Sequence, residues 1–242
     1  MKITIAVLVG AFLAAGSAWA QVAADNVRGN RILEKQNRSV GSFSKLHVSM
    51  GIIAEISDEE PGVMQVEAET SILPYVLTEL RGDTLVITTP KKQPLNDIIP
   101  VKVRLGVGQL EAIKVDIGAT LTSTKILSFD SLVCDVQSGA RTTAVIDGNF
   151  LFLTIQSGST ADMAGHVKNA TIKLSASSKL TGENFKVSEC SIAMIAGCQA
   201  ILTVEELLTA SSTGSCRLQY FGSPVILSQN MNRSAIEKIT RR

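Results

Sequence analysis

A chain of 242 residues is long enough for one large all-β domain or two small ones. Its 23 Lys and Arg against 22 Asp and Glu leave a formal charge of +1, which lacks the basic footprint of a nucleic-acid binder. Aromatic residues make up only 4%, too few to argue by number for the exposed ring platforms on which sugars stack.

Residues 1–20 read as a signal peptide. Lys2 is a short positive start, Ile3 to Ala15 is apolar, and Ala18-Trp19-Ala20 is a small-x-small cleavage site, so cleavage is expected after Ala20. Removal takes Lys2 and Trp19 with it and brings the charge to about zero. The residue directly after the cleavage site is Gln21 and not a cysteine, so a lipid-modified N-terminus is not expected, and no later apolar run approaches spanning length, so no membrane span is expected after signal removal. Residues 21–40 are polar and read as a loose leader. A single domain is expected over 41–242.

From Phe43 the chain alternates apolar and polar residues, as in Leu46-His47-Val48-Ser49-Met50 and Met64-Gln65-Val66-Glu67-Ala68. Period-two alternation broken by turns such as Glu60-Pro61-Gly62 marks half-buried strands. Ser71 to Leu80 breaks the alternation and predicts a short helical turn. Arg81-Gly82-Asp83 predicts a tight hairpin turn into Leu85-Val86-Ile87, and its match to a receptor-binding tripeptide is read as chance. Lys91 to Pro100 is a polar loop, and Val101 to Leu105 restores the strand pattern.

Beyond Leu110 the chain repeats. Val115-Asp116-Ile117-Gly118, Val136-Gln137-Ser138-Gly139 and Ile155-Gln156-Ser157-Gly158 share one grammar. Weaker copies end at Ser177, Gly197 and Gly214, and successive copies lie about 20 residues apart. Two positions before each apolar member stands another: Ile113, Cys134, Leu153, Ile172 and Ile192. These two columns predict an inward face. The fold class expected is an all-β, right-handed parallel β-helix-like solenoid, preceded by a strand-rich N-terminal part of the same domain. A β-sandwich is the competing fold, but it gives no reason for Gln-Ser-Gly to recur in register.

The order of these segments resembles a known bacterial family. Phe43-Ser44-Lys45-Leu46-His47-Val48, Leu80-Arg81-Gly82-Asp83-Thr84-Leu85-Val86-Ile87 and the closing Tyr220-Phe221-Gly222-Ser223-Pro224 are similar to the putative auto-transporter adhesin head GIN domain. The resemblance spans roughly residues 40 to 240. It departs from the family where a glycine-rich leader gives way to Arg28-Gly29-Asn30-Arg31 and a glycine-serine close to Asn230-Met231-Asn232-Arg233-Ser234. It implies export, a β-helical fold and a place in the bacterial envelope, and it implies no catalytic residues.

Four cysteines lie beyond the signal: Cys134, Cys190, Cys198 and Cys216. Cys198 follows the corner Gly197 by one position and Cys216 follows Gly214 by two, in adjacent coils, so a Cys198–Cys216 disulfide is the bridge the spacing permits. Four buried, unbridged thiols are the simpler alternative. No cysteine–histidine cluster points to zinc, and no cofactor motif occurs. His47, in a strand, is expected to face solvent, and His166, after Gly165, to sit in a turn. Asp116, Asp130, Asp135 and Asp147 fall at different repeat positions, so the clustered carboxylates of a polysaccharide lyase or hydrolase are not expected. The chain therefore reads as an exported binding module, with a polysaccharide-active enzyme as the alternative. Its expected partner is an envelope or extracellular polymer or protein, with no nucleic acid, and its oligomeric state is left open.

Overall fold

The computed structural model describes residues 27–90, 95–96, 98–232 and 235–240. The signal peptide and its cleavage site at Ala20 lie outside them. The strands in chain order are β1 (Val27–Arg28), β2 (Leu33–Ser39), β3 (Lys45–Val48), β4 (Ile53–Pro61), β5 (Val63–Glu69), β6 (Leu77–Arg81), β7 (Thr84–Thr88), β8 (Leu95–Asn96) and β9 (Lys102–Gly106). They continue as β10 (Ala112–Val115), β11 (Thr120–Val136), β12 (Arg141–Gln156), β13 (Thr160–Ser175), β14 (Lys179–Ile195), β15 (Gln199–Thr213), β16 (Arg217–Phe221), β17 (Val225–Asn232) and β18 (Ala235–Lys238). A 3-10 turn at Leu73–Tyr75 stands where the alternation fails.

From β10 to β16 each strand pairs in parallel with the next, and β17 and β18 add in parallel to β15 and β16, forming a β-solenoid of about six turns with a spacing near 19 residues. A coil is a nearly continuous strand whose alternation breaks where it bends, as at Asp130–Ser131 in β11 and Asn149–Phe150 in β12. Parallel register makes like positions stack. Leu46, Ile113, Cys134, Leu153, Ile172, Ile192 and Ala210 form one buried column. Val48, Val115, Val136, Ile155, Leu174, Met194 and Ser212 form the next. A single coil leaves both columns in water, so burial, and with it stability, comes from the coil above and the coil below. The strand-rich N-terminal part belongs to the same stack: β7 and β3 extend the β10 sheet, and β9 and β4 extend the other side of β11.

The corners use backbone that turns left-handed. Ser138 and Gly139 have φ of 58° and 74°, and Ser157 and Gly158 have 57° and 71°. This is why Gln-Ser-Gly recurs: glycine carries no strain there and serine little. The residue after each corner is small and buried, in the column Ala119, Ala140, Ser159, Ser178, Cys198 and Cys216.

Two expectations are corrected. The leader is not loose along its length, since Leu33–Ser39 pairs antiparallel with β5 over seven residues. It escapes the alternation test because it is an edge strand with mostly exposed side chains, held by hydrogen bonds rather than by burial. The fully buried Glu69 accepts the backbone N–H groups of Arg31 and, at 2.8 Å, of Ile99. Arg38 donates to the carbonyls of Val76 at 2.6 Å and Leu73 at 3.2 Å. The last corner is also offset by one from the expected alignment. Gln199 pairs with Arg217, so Ser215 (φ 53°), not Gly214, stacks on Gly197, and Cys198 and Cys216 share one register position.

Candidate functional faces

Outward columns are as regular as inward ones. On the side following the Asp130–Ser131 bend, Val133, Phe152, Thr171, Ser191 and Thr209 stack in register. Ser131, Phe150, Asn169, Glu189 and Leu207 form the neighbouring column. Phe150 and Phe152 are each 47% exposed, two rings side by side on one strand and bordered by hydroxyl and amide groups. Scarcity of aromatics in the sequence argued against such a platform. The signal for it was nonetheless present, because Leu153 points inward and therefore turns Phe152 outward.

At the bend itself lies an open groove of about 920 Å³. One wall is the loop 107–110, tethered by Lys125, whose Nζ donates to the Val107 carbonyl at 2.9 Å. The floor carries Asp147, Asn149, His166 and Lys168. His166 Nδ1 stands 4.0 Å from Asp147 Oδ1. His166 belongs to β13 and faces outward from the strand, correcting its expected place in a turn. Gly165, which suggested the turn, instead relieves a contact, since a Cβ there would lie 2.0 Å from the Ile146 carbonyl oxygen.

His47 is half-buried rather than solvent-facing. Its Nε2 lies 3.2 Å from Asp116 Oδ1, and Lys114 Nζ lies 3.7 Å from the other oxygen. Asp116, Asp130, Asp135 and Asp147 occupy four separate columns, but Asp135 pairs with Lys114, two positions before Asp116, and Asp147 pairs with Ser128, two positions before Asp130, so they form two diagonal pairs on adjacent coils. Among the described residues no group of three or more His, Cys, Asp or Glu side chains is arranged to hold a metal ion.

Cys198 and Cys216 meet in adjacent coils, and the Cys198 N–H donates to Cys216 Sγ at 3.4 Å. All four cysteines are free thiols in the structure. Cys198 Sγ donates to the Ile195 carbonyl at 3.1 Å, occupying at its corner the position Ser178 holds one coil earlier. Cys134 and Cys190 stand in different inward columns, and burial pushes both thiols up to about 12, with the Asp135 carboxylate adding to the shift at Cys134.

These observations define a class: a parallel β-solenoid with extended outward ladders, one aromatic pair and a shallow mixed groove. Residues 42–224 match the family model described as "Putative auto-transporter adhesin, head GIN domain", and the chain belongs to that family. A solved structure described as a putative adhesin from Bacteroides fragilis superposes with a TM-score of 0.81 at 15% identity, covering 88% of this chain and all of that one. One from Parabacteroides merdae, also described as a putative adhesin, gives 0.71 at 15% identity over 90% of this chain and all of that one. One described as a putative lipid binding protein, from Parabacteroides distasonis, gives 0.71 at 15% identity over 89% of this chain and all of that one. At such identity the likeness establishes the fold. No curated protein matches the chain. Among the described residues no helix is long and apolar enough to cross a membrane.

Proposed function

We propose that the chain is exported to the bacterial envelope or beyond and acts there as a non-catalytic, adhesin-like binding module. Its contact surface is the outward face bearing Phe150 and Phe152, and its partner is a carbohydrate-rich envelope or extracellular polymer. The observation that carries this reading is the half-exposure of both rings on one strand, with Ser131, Asn169 and Thr171 beside them. Aromatic faces stack on the C–H faces of sugars, while hydroxyls and amides at the rim take their hydroxyl groups.

The test is a glycan array probed with the mature chain and with a Phe150→Ala/Phe152→Ala variant. Wild type binds a subset of glycans, and the variant binds them at least tenfold more weakly, a loss of about 1.4 kcal/mol or more. Equal binding by both proteins, or no binding to glycans together with binding to lipid vesicles, would overturn the reading.

A further inference from the structure

The face beyond the Gln-Ser-Gly corner carries a second ladder of different chemistry. Thr120, Arg141, Thr160, Lys179, Gln199 and Arg217 stack in unbroken parallel register on one outward column. The three cations are exposed and stand in every second coil, so their side chains leave the backbone about 10 Å apart, twice the separation of hydrogen-bonded strands. Among the described residues none of the three has an ion-pair partner. The residues between them, Thr160 and Gln199, are uncharged hydrogen-bonding side chains.

Elsewhere the chain couples cations to acids across neighbouring strands. Arg104 meets Glu55 at 2.8 Å, Lys45 meets Asp83 at 2.8 Å and Lys35 meets Glu67 at 3.3 Å. Directly opposed unlike charges stabilise a sheet, and like charges destabilise it. Avoidance of like charges accounts for the gaps between Arg141, Lys179 and Arg217. It does not account for the absence of an acid at Thr160 or Gln199, where one would gain two partners. The column keeps its cations spaced and unneutralised.

The surroundings suit a long, straight ligand. On one side the corner column runs Gly139, Gly158, Ser177, Gly197 and Ser215, which raise no side chain larger than a serine hydroxymethyl against it. On the other, Thr143 and Thr181 point outward on the next column, with Asp162 the acid between them. We infer that this column is a binding track for a linear acidic polysaccharide with one acid group on every second sugar, its carboxylates meeting Arg141, Lys179 and Arg217 and its hydroxyls meeting the threonines. A nucleic-acid strand, with a phosphate about every 3.4 Å, crowds charge far beyond what this ladder matches. The track lies around the corner from Phe150 and Phe152 and does not depend on them.

Hyaluronan oligomers, which carry one carboxylate per disaccharide, are the probe, with binding measured by calorimetry at two salt concentrations against dextran and polyphosphate. The chain binds hyaluronan and not dextran, and raising the salt weakens the complex. Arg141→Gln/Lys179→Gln/Arg217→Gln loses at least tenfold in affinity, and Thr160→Glu, which places an acid between two of the cations, loses severalfold. Arg141→Gln/Lys179→Gln/Arg217→Gln keeps the binding of uncharged glycans that the face bearing Phe150 and Phe152 provides, so the two faces fail or stand separately. The proposal is overturned if hyaluronan does not bind, if the cation and Thr160 variants bind it unchanged, or if polyphosphate binds as tightly, which would reduce the track to unspecific charge attraction.

Discussion

At the scale of single residues, the interior shows where repetition outruns necessity. Ser159 is fully buried in the post-corner column, and its hydroxyl has no hydrogen-bond partner among the described residues. One coil later the Ser178 hydroxyl donates to the Ile155 carbonyl at 2.9 Å, and one coil earlier Ala140 fills the same place without any polar atom. A buried, unpaired hydroxyl costs roughly 1–3 kcal/mol. Ser159→Ala should therefore raise the urea midpoint, by about 1 kcal/mol of stability, whereas Ser178→Ala should lower it. The thiols give a pH dependence. Burial favours the neutral form of Cys134 and Cys190, so unfolding releases protons only above the ordinary thiol value near 9. Stability is complete below that pH and falls as pH rises toward about 12, by roughly 1.4 kcal/mol per pH unit per thiol. Chemical denaturation between pH 8 and 11 should show a shallower fall in a Cys134→Val/Cys190→Val protein than in wild type.

At the scale of elements, β2 shows how a strand can be held without a hydrophobic face. Beside its ladder to β5, Glu69 helps to fix its start, one oxygen taking the backbone N–H of Arg31 and the other that of Ile99, just beyond the paired strands β1 and β8. Glu69→Ala orphans both donors and should cost about 2–4 kcal/mol, with limited proteolysis cutting first within residues 27–39. Such a strand was illegible in the sequence for a physical reason. Alternation reports burial, and Leu33–Ser39 pairs through its backbone while all its side chains but the half-buried Arg38 stay in water. The long strands were legible because Ile113, Cys134 and Leu153 face inward at every coil, and the hairpin at Arg81-Gly82-Asp83 because Gly82 takes φ of 63° where β6 turns into β7. The faces proposed for binding were legible only in part. Parity along the strand already turns Phe152 and Arg141 outward, but that they belong to two different sides of the molecule depends on where each coil bends, and the bends carry no common residue.

At the scale of the whole molecule, the stack is a one-dimensional object in which each coil answers chiefly to its two neighbours. Yet the coils are not interchangeable. The Phe129 ring lies where a Cβ on Gly148 would come within 2.4 Å of it, so that coil accepts the phenylalanine only because the one above it is bare at that point. Excising residues 139–157 would join Ser138 to Gly158, regenerate Gln-Ser-Gly at the seam and shorten the rod by about 4.8 Å. It would also seat Val167 against Phe129. The shortened chain should fold poorly, and adding Val167→Gly should restore a cooperative melt, readable by circular dichroism. Phe129 and Gly148 thus act as a key and its keyway, fixing the sequence in which otherwise similar layers can be assembled.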